Sequence, residues 1–121
     1  MKVVKMSEVA SEPAVSALFT GNEVTRQAPF AADEMQSVNF GIVSFSAGSR
    51  NKFHKHTSDQ ILVITDGTGV VATDNEERTV SAGDVVLIPA GENHWHGAPG
   101  DTAMAHITIQ AKGSTTTQTE P

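Results

Sequence analysis

All five histidines of this chain, His54, His56, His94, His96 and His106, fall in segments that read as β-strands. A lone histidine is more often a hydrogen-bonded core residue than a ligand. The spacing here changes that balance. His54 and His56 are two apart, and a strand's period of two puts both imidazoles on one face. His94 and His96 repeat the arrangement, and His106 shares its parity with Met104, Thr108 and Gln110. Imidazole ligates zinc, copper, iron, nickel and manganese alike, and a mononuclear site takes three or four such ligands. Two facing strands, each carrying His-x-His, can close round one ion inside a barrel.

Other chemistries find little support. There is no cysteine, which removes thiolate nucleophiles, disulfides and Cys-rich zinc sites. Thr20, Ser44 and Thr108 offer hydroxyls, but no Ser-His-Asp arrangement is visible. Gly67-Thr68-Gly69 lacks the strand-to-helix setting of a phosphate loop. The net charge of −6 disfavours nucleic acid, whose phosphates need a basic face. Arg50, Lys52 and Lys55 form a basic cluster that reads as a solvated rim, with a gate for an anionic substrate as the sharper alternative. Trp95, the single tryptophan, has the opposite parity to His94 and His96 and reads as outer packing.

The elements that must position the histidines are short strands. The 121 residues are one domain's worth, 38% hydrophobic and 18% charged, with ten Gly and five Pro as punctuation. Strand-like runs cover Ser37 to Ser46, Lys52 to Lys55, Gln60 to Thr65, Gly69 to Thr73, Arg78 to Ser81, Val85 to Ile88, Glu92 to Gly97 and Met104 to Gln110. Asp66-Gly67 between two of them is a strong hairpin signal. Turn signals every 8–12 residues predict an all-β sandwich or barrel. Phe40, Phe45, Phe53, Leu62, Ile64, Val86 and Ile88 read as core. The one helical candidate, Ser7 to Leu18, is weakened by Pro13. Residues 1–34 form an N-terminal segment that supplies an edge strand or a dimer contact, 35–112 the barrel, and 113–121 (GSTTTQTEP) a flexible tail. No apolar run is long enough to cross a membrane and no secretory leader is apparent, so the expectation is a cytoplasmic protein.

At the histidines the chain resembles a small single-domain cupin. The first cupin motif, G-x5-H-x-H-x3,4-E-x6-G, reads here as Gly48, His54, His56, Gln60 and Gly67 at matching intervals. The second, G-x5-P-x-G-x2-H-x3-N, reads as Gly83, Pro89, Gly91 and His94. Gln60 stands where the motif has an acid, and Ala98 where it has Asn. The stretch from Gly83 to Gln110 is further similar to manganese-dependent hydroxynitrile-lyase-like cupins and to the cupin parts of carboxymuconolactone-decarboxylase-like proteins. The resemblance implies a double-stranded β-helix, the jelly-roll barrel of cupins. It implies one divalent metal, most simply Mn with Fe, Ni, Zn and Cu as alternatives, held by His54, His56, Gln60 and His94. His106 and His96 would then be catalytic, and Gln110, Val43 and Phe53 would meet the substrate.

Three neutral imidazoles and one neutral amide leave a bound divalent ion its full formal charge, which favours anionic groups at its open positions. The leading expectation is cyanohydrin cleavage to aldehyde and cyanide, with the metal as Lewis acid and a histidine as base. A dioxygenase or oxidative-cleavage enzyme and a non-catalytic ligand-binding protein remain open alternatives. The expected partners are a small-molecule substrate and a second copy of the chain, in a homodimer or higher homo-oligomer.

Overall fold

Frequent turns and β-branched residues predict strands, and strands account for the regular structure. The computed structural model describes residues 1–121. In chain order the strands are β1 Glu12–Pro13, β2 Phe19–Thr20, β3 Val24–Gln27, β4 Val38–Phe45, β5 Ser49–Asn51 and β6 His54–His56. They continue with β7 Gln60–Thr73, β8 Glu77–Ser81, β9 Val85–Ile88, β10 His94–Ala98, β11 Met104–Ala111 and β12 Thr116–Gln118. Two three-residue 3₁₀ turns, Met6–Glu8 and Ala32–Glu34, are the helical pieces. The helix expected over Ser7 to Leu18 does not form. Pro13 breaks a helical interior, and it sits instead in β1, paired with β3 through Glu12–Arg26 and Pro13–Thr25.

The long strand β7 holds the barrel together. Its first part, from Gln60 to Val63, lies between β9 and β11. Its later part lies between β8 and β10. One strand therefore belongs to both walls. The hairpin expected at Asp66-Gly67 is not a reversal. Gly67 does take the left-handed conformation, at φ 72°. The ladder with β11 slips two residues earlier: Ala105 faces Asp66 while His106 faces Ile64, which leaves Thr65 as the extra residue. This bulge bends the strand and raises its twist. Asp66 and Gly67 stay paired with Ala105 and Met104, so β11 carries the strand across the site of the expected turn. The reversal comes later, where the Thr73 N–H donates to the Glu76 carbonyl.

Alternation along the strands separates a dry interior from an outer face. Val24, Phe45, Leu62, Ile64, Val71, Val80, Ile88, Ala98 and Met104 form one buried cluster, with Val43, Val86 and Phe19 packed against it. Phe40 and Phe53, expected in the core, are half-buried. Phe40 pairs with Phe30 at 6.1 Å between centroids. Of the segment expected at an edge or a partner contact, β3 flanks β4, but Val24 is taken into the core. Ile61, Val85 and Leu87 are register neighbours on β7 and β9 and stand exposed on the outer face.

The segment 113–121 differs from the flexible tail expected of it. Thr116, Thr117 and Gln118 pair antiparallel with His56, Lys55 and His54. Polar composition alone predicts no anchoring, because the anchor is main-chain pairing and one ion pair, Arg50–Glu120 at 2.8 Å.

A Cβ on Gly67 would collide with the Ala103 carbonyl oxygen in addition to straining a positive φ. Gly67→Ala is expected to lower the unfolding free energy by about 2 kcal/mol or more. Gly100→Ala, where nothing lies within 4 Å, is expected to be close to neutral. Urea denaturation of both variants beside the parent checks the contrast.

Candidate metal centre

β6 and β10 run antiparallel with His54 opposite His94. The two His-x-His strands are thus neighbours in one sheet, not opposing walls. Alternation turns all four of their imidazoles to the buried face. The ring of His54 lies 4.3 Å from that of His94 and 4.9 Å from that of His56, centroid to centroid. One nitrogen each from His54, His56 and His94 falls within 4.8 Å of the others, a spacing that one ion can bridge. Gln60 opens β7 beside them, with Oε1 at 3.1 Å from His94 Nε2.

Hydrogen bonds decide where the protons sit. His54 Nδ1 donates to the Lys52 carbonyl at 2.6 Å, and His94 Nδ1 to the Glu92 carbonyl at 2.8 Å. A carbonyl can only accept, so both rings carry their proton on Nδ1. Their Nε2 atoms are left as lone pairs. Gln60 Nε2 donates to Thr108 Oγ1 at 2.9 Å, which turns Oε1 toward the histidines. His94 Nε2 and Gln60 Oε1 are then two acceptors face to face. His56 Nε2 is buried beside them with no partner at all. Buried acceptors without a donor are costly. A cation among them satisfies all at once, so the residues fit a metal.

Burial keeps the imidazoles neutral. His54, His56, His94 and His106 are held down at about 4 from an ordinary 6.5, chiefly by desolvation. Repulsion from a neighbouring ring adds to this for His54, His56 and His94. His96, wholly enclosed, is held well below 6.5 for the same reasons. Metal ligation needs neutral imidazole, so the dry site prepares its ligands.

His96 and His106 form a second pair against the first. His96 lies 5.7 Å from both His54 and His94, and its Nδ1 is 2.9 Å from His106 Nε2. His96 is buried. Asn51 accepts the His96 main-chain N–H at 2.8 Å and turns its amide nitrogen to the ring. Nothing in the sequence singled out Asn51. Val43 is the register partner of His106. Gln110 stands opposite Gln60, and its amide nitrogen is buried without a partner. Phe53 sits at the break between β5 and β6, where its main chain bonds Glu120 and Thr119.

The basic cluster is not a free gate at Arg50. Its guanidinium is tied to Glu120 and lies 4.7 Å above the Trp95 ring. Lys52 lies outside the strands. A cleft of about 390 Å³ between β8 and β9 contains none of the histidines.

The buried rings make stability depend on pH. Unfolding returns each histidine to about 6.5. Between about 6.5 and 4 the unfolded chain binds protons that the folded chain refuses, so stability falls as the pH drops through that window. Each unit of depression is worth about 1.4 kcal/mol per ring. The metal-free protein is expected to lose melting temperature steeply from pH 6.5 to 4. A flat calorimetric profile over that range would show that the rings are not kept neutral.

Comparison with known proteins agrees with this geometry. The cupin domain family matches residues 41–110, which include all five histidines. The (R)-mandelonitrile lyase of Granulicella tundricola is 34% identical over 113 residues, spanning 93% of this chain and 86% of that protein. An acireductone dioxygenase of Leptospira biflexa is 28% identical over 97 residues, 74% of this chain and 55% of that one. A cupin-like protein of Thermotoga maritima has a solved structure with a TM-score of 0.80 and 26% identity. It covers 99% of this chain and 90% of its own. With a cupin match over more than half its length, and a barrel that turns the motif histidines inward to one point, this chain belongs to the cupin family.

Proposed function

We propose that this protein is a metal-dependent lyase that cleaves a cyanohydrin into an aldehyde and cyanide. The observation that carries the reading is an uncharged ligand set, His54, His56, His94 and Gln60, with a hydrogen-bonded pair of neutral histidines packed against it. The likeness to a mandelonitrile lyase over 93% of the chain supplies the substrate class. A bound divalent ion, manganese in this reading, would supply a Lewis acid of undiminished formal charge.

The side chains account for the rest of the reaction. His96 takes the hydroxyl proton of the substrate, since burial keeps the ring unprotonated at neutral pH. The carbon–cyanide bond breaks with its electron pair leaving on cyanide, and the oxygen closes to the aldehyde carbonyl. The imidazolium of His96 then returns the proton to cyanide. His106, bonded to His96 at 2.9 Å, shares the transient positive charge. The free amide nitrogen of Gln110 offers the substrate a donor. Val43 and Phe53 supply apolar surface. The dry surroundings strengthen each of these polar contacts.

Manganese-loaded protein is expected to release benzaldehyde from mandelonitrile above the background of manganese alone. His96→Ala should lower turnover by roughly 10²–10⁴-fold while retaining its metal. No benzaldehyde above background overturns the reading. The dioxygenase alternative draws on the likeness to an acireductone dioxygenase. Oxygen consumption with an acireductone, and none of the lyase product, would favour it. Lyase turnover that survives zinc substitution would count against it.

A further inference from the structure

His54 and His94 are each steered by a carbonyl two residues earlier in the chain, Lys52 and Glu92, just before the strand begins. These partners are local and need no distant segment. His56 has no such local partner. Its Nδ1 meets Thr116 Oγ1 at 2.9 Å, sixty residues further along the chain. Of the three histidines that converge, one depends on the carboxy-terminal segment for its ring orientation.

We propose that residues 113–121 are a working part of the metal centre, a strap whose Thr116 is the positioning residue for His56. This rests on the metal-centre reading but not on the lyase reaction. The strap is stitched along β6 on both sides of that contact. Thr57 N–H donates to the Thr115 carbonyl at 3.1 Å, and Thr115 N–H to Thr57 Oγ1 at 3.0 Å. Thr119 N–H donates to the Phe53 carbonyl at 2.9 Å, and its hydroxyl to Asn93 Oδ1 at 2.6 Å. Glu120 closes the end. Its carboxylate accepts from both terminal nitrogens of Arg50, at 3.1 and 2.8 Å, and from the Phe53 N–H at 2.9 Å.

Two consequences follow from this arrangement. To coordinate through Nε2, His56 must carry its proton on Nδ1 and donate it to Thr116 Oγ1. The threonine hydroxyl therefore acts as the acceptor that keeps the His56 Nε2 lone pair pointing inward. The strand within the strap is also short and open to solvent. β12 is three residues long, and all three are exposed. Short exposed ladders open locally at low free-energy cost. Opening β12 frees His56 while His54 and His94 stay held by the carbonyls of Lys52 and Glu92. Metal exchange then passes through the strap.

The test measures manganese binding, with free manganese followed by paramagnetic resonance. Thr116→Val keeps the side-chain shape but removes the acceptor. It is expected to weaken binding 10–100-fold. Thr116→Ser should restore near-parent affinity. Metal-free Thr116→Val should stay folded and melt at most a few degrees below the parent, since Thr116 itself is on the surface and only the His56 Nδ1 contact is lost. Glu120→Gln should speed release to a chelator. Thr116→Val that binds as tightly as the parent, or Glu120→Gln with an unchanged release rate, overturns the strap. His54→Ala separates the two levels. If it binds as tightly as the parent, the metal centre itself is wrong and the strap falls with it. If His54→Ala loses the metal and Thr116→Val does not, only the strap is wrong.

Discussion

The rest of this structure depends on two carbonyls that fix two protons. Lys52 and Glu92 accept the Nδ1 protons of His54 and His94, and this leaves the opposite nitrogens as bare acceptors in a dry interior. Gln60, turned by Thr108, brings a third acceptor to the same place. Acceptors that face each other without a proton between them are unfavourable in isolation. The barrel tolerates this because its other walls are well packed around Phe45, Leu62, Ile64 and Met104. The arrangement makes sense as preparation for a cation. It also makes the site neutral in its own right, so the charge of a bound ion would not be offset by its ligands.

β7 is the element that makes such convergence possible. Gln60 begins it between β9 and β11, while Thr73 at its far end faces His94 on β10. A strand confined to one wall would not link the wall of Gln60 and His106 to the wall of His54, His94 and His96. The bulge at Thr65 lets β7 bend between the walls while its ladder with β11 continues to Gly67. The two histidine groups therefore meet through one continuous backbone, and His96 can bond His106 across the interior.

Much of the site was legible beforehand. The glycine and histidine intervals gave the barrel, and the period of two placed His54 with His56 and His94 with His96. The reading was less successful at Asp66-Gly67 and at the chain's end. Asp-Gly permits a positive φ, which local sequence reads as a reversal; pairing of Asp66 and Gly67 with β11, some forty residues away, carries the strand straight on. GSTTTQTEP carries no apolar residue, so no hydrophobic signal reveals that it docks. Its anchors are main-chain ladder bonds and an Arg50–Glu120 pair, and neither leaves a pattern in local sequence. Asn51 and Thr116 escaped notice for the same reason: each is defined by a partner distant along the chain.

The sequence by itself determined the residue types that could bind a metal, the side of the strand each would take, and the all-β class. These follow from short-range rules, namely the two-residue repeat of a strand and the backbone freedom of glycine at turns. Only the tertiary structure decided which strands became neighbours, where the protons lie, and that a polar tail supports one of the histidines. Those outcomes depend on contacts between distant residues, whose energies come from the folded geometry and are not written in any one stretch of chain.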